Sequence, residues 1–131
     1  MSLEAANPRG WKERLGIAKA VVKATLAALP AALQAEAQNL PVTYEHRPTP
    51  AMLEDGIEPD TLGLFLGDAF PDLESGHDPL PPQVLLFLDS LWEFCEGDEE
   101  AYREEVRATL LHELGHYLGL DETDLEARGL D

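Results

Sequence analysis

Residues 98–119 read Asp98-Glu-Glu-Ala-Tyr-Arg-Glu-Glu-Val-Arg-Ala-Thr-Leu-Leu-His-Glu-Leu-Gly-His-Tyr-Leu-Gly119, and this stretch decides the fold. Tyr102, Val106, Leu110, Leu114 and Tyr117 recur at intervals of three and four, which predicts a helix with one face turned to a core. Gly97-Asp98 offers an N-cap, and Glu99 and Glu100 sit in the first turn, where the helix dipole favours negative charge. Gly119 suits the left-handed residue that ends a helix. Inside the helix lies His112-Glu113-Leu114-Gly115-His116. Histidines four apart differ by about 40° around a helix and about 6 Å along it, so their rings can converge on one ion. Imidazole is a natural zinc ligand, and two histidines with one carboxylate leave the fourth tetrahedral position for water. Glu113 points about 100° away from His112, beside the ion rather than on it, where a general base stands.

The spacing is specific. With four histidines and sixteen glutamates in 131 residues, a shuffled chain carries HExxH with a chance of roughly one in a hundred. Requiring Gly119 three residues beyond the second histidine lowers that roughly tenfold. The bland alternative is a helix whose two histidines pair with Glu105 or with solvent. In the metzincin pattern HExxHxxGxxH the last ligand follows the first histidine by ten residues, and that position here is Glu122. A stop at Gly119 turns the chain back over the helix end, so a carboxylate at 121, 122 or 124 can reach the ion. Spacing favours Glu122, with Asp121 and Asp124 behind it, and Asp121 has a second reading as a cap for the next turn. Met1 and Met52 are the only methionines and both precede the helix, so a metzincin Met-turn is excluded.

Outward from this helix, the chain reads as one α+β domain over residues 1–131, with residues 1–9 expected to be frayed or disordered. A helix is expected from Trp11 to Leu29, with Ile17, Val21, Val22, Leu26 and Leu29 facing inward. Pro30 breaks it and opens a short helix over 31–38. Pro41-Val-Thr-Tyr-Glu-His-Arg47 alternates in the manner of a strand, ended by Pro48 and Pro50. Thr61-Leu-Gly-Leu-Phe-Leu-Gly67 is a second strand between turn signals. Residues 68–82 read as an irregular exposed loop. Gln83-Val-Leu-Leu-Phe-Leu88 is a short apolar run that fits a buried strand. Leu91, Trp92 and Phe94 are expected to pack against it from a short turn or helix. Thr123-Asp-Leu-Glu126 has the form of a capping box and opens a last turn.

The chain carries 26 acidic against 9 basic residues, a net charge of −17. Residues 1–50 hold six basic and four acidic groups, whereas 51–131 hold three and twenty-two. Such a balance excludes nucleic acid, which needs a basic face, and docking on an anionic membrane. The run Glu96, Asp98, Glu99, Glu100, Glu104 and Glu105 reads first as a solvated face that complements the dipole. Its second reading biases a cleft toward basic peptides. Cys95 is the single cysteine, so no disulfide framework is expected. Its nearby carboxylates disfavour a catalytic thiolate. No stretch reaches the roughly 18–20 apolar residues of a membrane span, and a cytoplasmic location is expected.

The segment Arg107-Ala-Thr-Leu-Leu-His-Glu-Leu-Gly-His-Tyr-Leu-Gly-Leu-Asp-Glu-Thr-Asp-Leu-Glu-Ala-Arg-Gly-Leu130 resembles a family of small bacterial zincin-like zinc metallopeptidases with a minimal zincin fold. The likeness extends upstream through Pro81-Pro-Gln-Val-Leu-Leu-Phe-Leu-Asp-Ser-Leu91 and more loosely through Leu62-Gly-Leu-Phe-Leu-Gly67. It covers about two thirds of the chain, and the helix is its specific part. The resemblance implies a small sheet, three-stranded on the pattern above, beside a zinc-binding helix. It implies His112 and His116 as ligands, Glu113 as base and an acidic third ligand just after Gly119. Family members usually carry Asp at the position of Glu122.

On this reading Zn2+ acidifies a water and polarises a peptide carbonyl, while Glu113 moves the proton to the leaving amine. His77, Tyr117 and Tyr102 are the candidate oxyanion donors. The two tyrosines read more simply as core, and His77 and His46 as solvated or structural. Asp121 or Asp124 could instead orient a histidine from behind. The favoured function is a zinc metallopeptidase acting on a peptide or unfolded protein, with a bias toward basic ones if the acidic face borders the cleft. The alternatives are a metal-binding module without turnover and an interaction domain without metal.

Overall fold

The computed structural model describes residues 10–67 and 82–119. In chain order it holds α1 (Trp11–Ala27), α2 (Ala31–Ala37), β1 (Val42–Glu45), α3 (Pro50–Glu54), β2 (Gly63–Leu66), β3 (Gln83–Phe87), α4 (Leu88–Phe94) and α5 (Glu99–Leu118). The architecture is α+β, with helices packed on a small mixed sheet of order β1-β3-β2. β3 is the central strand. It runs parallel to β1, with Val42 opposite Val84, and antiparallel to β2, with Gly63 opposite Leu86. Its side chains from Val84 to Phe87 are all buried, as a continuous apolar run in a central strand should be. β1 alternates: Val42 and Tyr44 pack on the core, while Thr43 Oγ1 donates to Gln83 Oε1 at 3.2 Å.

Each predicted strand and helix among the described residues is present, with ends shifted by at most two residues. α1 stops at Ala27 because Pro30 follows. The Gln34 side chain then donates to the carbonyls of Ala27 and Leu29 that the stop leaves open. The inward stripe of α1 departs from expectation. It runs through Arg14, Ala18, Val22 and Thr25, while Ile17, Val21 and Leu26 are half-buried on its flanks. Polar residues can occupy that stripe because each finds a partner there. Thr25 Oγ1 donates to the Val21 carbonyl at 2.7 Å, and Arg14 meets Asp89.

Two further corrections concern short helices. Between β1 and β2, where the sequence reading places no element, Pro50–Glu54 forms α3. Thr49 caps it by accepting from the Met52 N–H, and Pro50 stands in the first turn, where its missing N–H costs nothing. Leu88, expected at the end of β3, begins α4, which follows without a loop and is held by the Asp89 N–H on the His46 carbonyl at 3.0 Å. On α4, Leu91 is fully buried but Phe94 is 62% exposed, so Phe94 does not join the packing expected of it. The expected loop over 68–82, apart from Pro82, lies outside the described residues. So do the N-terminal segment 1–9 and the capping box at 123–126.

The core gathers Val22, Leu29, Leu86, Leu88, Leu91, Tyr102, Val106, Leu110 and Leu114 between α1, α4, α5 and the sheet. Burying each of these leucines contributes on the order of 2 kcal/mol. The outcome is a rigid bed for α5, whose opposite side is left open.

Candidate metal centre

α5 is fixed at both ends. The Asp98 carboxylate accepts from the N–H groups of Glu100 and Ala101 at 3.0 and 3.3 Å, and Gly119 closes the helix with φ 73°. Tyr102, Val106, Thr109, Leu110, Leu114 and Tyr117 are buried, in line with the predicted face. On the acidic side, Glu99 pairs with Arg103 and Glu104 with Arg107, as a solvated helix face does.

His112 and His116 both stand exposed on the open side. Their ring centroids are 4.8 Å apart with the planes inclined at 62°. The spacing therefore delivers what helix geometry demands, two imidazoles within reach of one ion. Glu113 behaves differently from its neighbours. It is 7% exposed, and its Oε1 lies 3.4 Å from His116 Nδ1. That contact engages the Nδ1 side of the ring and leaves Nε2 on the far side of it.

What buries Glu113 is β2. A Cβ built on Gly63 would lie 2.5 Å from Thr109 Cγ2, 3.3 Å from the Leu85 carbonyl and 3.5 Å from Glu113 Cγ. Two residues along, the Phe65 ring packs on Tyr117 with centroids 5.8 Å apart. Gly63 and Phe65 thus share the strand face that receives α5, and the contacts advance together along strand and helix. β2 is also an edge of the sheet, so its outer side has no strand partner among the described residues.

The remaining candidates separate cleanly. Tyr102 is wholly buried and its hydroxyl donates to the Arg14 carbonyl at 2.9 Å, which removes it as an oxyanion donor. Burial also pushes its phenol far above the usual range. Tyr117 is buried, and desolvation followed by the charge of Glu36 raises its phenol. His46 is exposed and structural: it stacks on Trp11 with centroids 3.9 Å apart, and its Nδ1 lies 2.9 Å from Asp89 Oδ2. Cys95 is a buried free thiol whose pKa is raised by burial first and by Glu105 and Asp98 after that. Desolvation, more than the neighbouring carboxylates, disfavours its thiolate. His77, Asp121, Glu122 and Asp124 lie outside the described residues. Among the described residues no three potential ligands gather at one point; His112 and His116 are brought together as a pair.

Two neutral-capable imidazoles with a carboxylate behind them fit zinc, a borderline cation that takes nitrogen and oxygen ligands. Compared with the known protein families, residues 37–130 match the zincin-like metallopeptidases. The chain belongs to the zincin-like metallopeptidase family. Peptidases of this kind depend on zinc in general, so membership suggests a zinc peptidase. The match begins at the end of α2 and takes in the whole sheet as well as α5, so the likeness read from three sequence segments holds over the intervening chain. A search of the curated proteins finds no match. No helix among the described residues is long and apolar enough to cross a membrane.

Two features of the zincin-like chain escaped sequence reasoning. One is the partly buried pair of Arg14 and Asp89, 75 positions apart, which no local pattern announces. The other is Gly63, whose signal was present: a glycine inside a strand often marks a close backbone approach.

Proposed function

We propose that the chain is a zinc-dependent peptidase in which His112, His116 and an acidic residue after Gly119, Glu122 by spacing, hold the ion. The observation that carries this reading is the contrast on one helix turn. Two exposed imidazoles face outward together, and the glutamate between them is buried against His116 and β2. A glutamate placed only for solubility would be solvated.

When bound, zinc lowers the pKa of a water to about 7 and polarises a peptide carbonyl. Glu113 accepts the proton of the attacking water on its carboxylate and returns it to the departing amine. Its burial holds the side chain in one position, so little reorganisation precedes the transfer. His112 and His116 would hold the ion through ring nitrogens, and the 3.4 Å contact of Glu113 Oε1 with His116 Nδ1 keeps the carboxylate beside the pair. The substrate is an extended or unfolded peptide. Among the described residues the outer edge of β2 has no strand partner, and the peptide backbone would pair along it beside Glu113. The acidic half of the chain favours basic segments.

The test is zinc stoichiometry by elemental analysis on the untagged protein and on His112→Ala. One zinc per chain, lost in the variant, is expected. Glu113→Gln should keep the metal and lose turnover, whereas equal turnover in that variant would assign the metal a structural role. No zinc in the native protein after stoichiometric addition overturns the proposal.

A further inference from the structure

We propose that Gly63 is a positioning residue that sets the gap between the edge strand β2 and α5, and with it the depth of Glu113 beneath a bound peptide. This rests on the peptidase reading above and adds to it the element that aligns substrate with base.

The position is closed on two sides. The Leu85 carbonyl belongs to the backbone of the central strand, 3.3 Å from where a Cβ would stand, and the ladder that holds β3 between two partners gives it no room to move. Thr109 Cγ2 would be only 2.5 Å away, a distance real Cβ atoms do not adopt. Thr109 is β-branched and buried in mid-helix, so its rotamers are few. Any larger residue at 63 is therefore accommodated by lifting α5 off β2. Thr109 and Glu113 are one turn apart on the same helix face, and Glu113 Cγ lies just beyond the same point. Lifting the helix raises Glu113, His112 and His116 together. Their mutual geometry survives, and their distance from a peptide on β2 grows. Phe65 and Tyr117, next along the same interface, keep the strand from sliding to compensate.

This separates two ligand classes. A probe that touches only the ion and Glu113 should not sense the gap; a probe that must also lie along β2 should. The experiment compares acetohydroxamate with a mixed-sequence tripeptide hydroxamate on the cobalt-loaded protein, read by the visible absorption of cobalt. Gly63→Ala should bind cobalt and acetohydroxamate as the native protein does. It should lose roughly tenfold or more in affinity for the peptide hydroxamate, since ångström-scale misplacement is costly. Adding Thr109→Ser removes the obstructing methyl, and Gly63→Ala/Thr109→Ser should restore peptide binding. If Gly63→Ala does not fold, the double variant carries the test.

Equal loss of both probes in Gly63→Ala, absence of rescue in the folded double variant, or a native protein that binds the peptide probe no better than acetohydroxamate overturns the proposal. Failure of the native protein to bind cobalt at all is a different result, and it removes the peptidase reading instead.

Discussion

Arg14 Nη2 lies 2.8 Å from Asp89 Oδ1, joining the first helix to the helix that follows the central strand. The Arg14 side chain is 7% exposed and that of Asp89 20%, so the charge of Arg14 has little water to fall back on. The second oxygen of Asp89 meets His46, which itself stacks on Trp11. One carboxylate thus ties α1, the residue after β1 and α4 together.

Asp89→Asn should therefore destabilise the protein by roughly 3 kcal/mol, because it removes a counter-charge from a buried guanidinium. Replacing both partners, as Arg14→Met with Asp89→Leu, should cost less than the single change. Urea midpoints of the three proteins check this. A single variant as stable as the native chain would mean that solvent reaches Arg14.

Gly119 adopts φ 73°, a left-handed conformation that an L side chain resists. Gly119→Ala should cost about 1 kcal/mol in thermal stability. On the proposed ligand set it should also weaken zinc binding, because the candidate third ligands Asp121, Glu122 and Asp124 follow directly after this residue in the sequence. Unchanged zinc affinity in a folded Gly119→Ala protein would place the third ligand elsewhere.

The α5 site was legible because its signals are local. Asp98, the three-and-four spacing of Tyr102 to Tyr117, the histidine pair and Gly119 each act within a few residues of themselves. β3 was legible for the same reason, as an apolar run between turn signals. What the sequence hid is relational. Nothing near Ala18 or Thr25 says that α1 turns these small and polar residues inward. That follows from Arg14 finding Asp89 and from Tyr102 finding the Arg14 carbonyl. Glu113 could be singled out from its spacing, but its burial depends on a glycine fifty positions earlier in a strand that sequence could not dock.

α4 offers a contrast within one turn. Leu91 is fully buried and Phe94 is 62% exposed. Leu91→Ala should cost about 3 kcal/mol through the cavity it leaves. Phe94→Ser should change stability by no more than about 0.5 kcal/mol, as exposed positions do. Thermal melts of the two proteins decide it, and a large loss in Phe94→Ser would mean that the ring is covered in solution.

Tyr102 links stability to pH at the alkaline end. Burial raises its phenol from 10.0, with Asp89, Cys95 and Tyr44 adding and Arg14 opposing. The unfolded chain releases this proton near pH 10, while the folded chain keeps it. Stability is therefore complete below that pH and declines as pH rises above it. Tyr102→Phe removes both the titration and the hydrogen bond to the Arg14 carbonyl. At neutral pH the variant should be less stable by about 1 kcal/mol, the usual net value of one such bond. The deficit should shrink as pH climbs from about 10 to about 12, because only the native protein holds a phenol that must stay protonated. Cys95, Tyr44 and Tyr117 are raised too and remain in both proteins, so the alkaline limb flattens without disappearing. Urea midpoints measured across that range give the answer. A deficit that stays constant would show that the Tyr102 phenol titrates alike in the folded and unfolded chains.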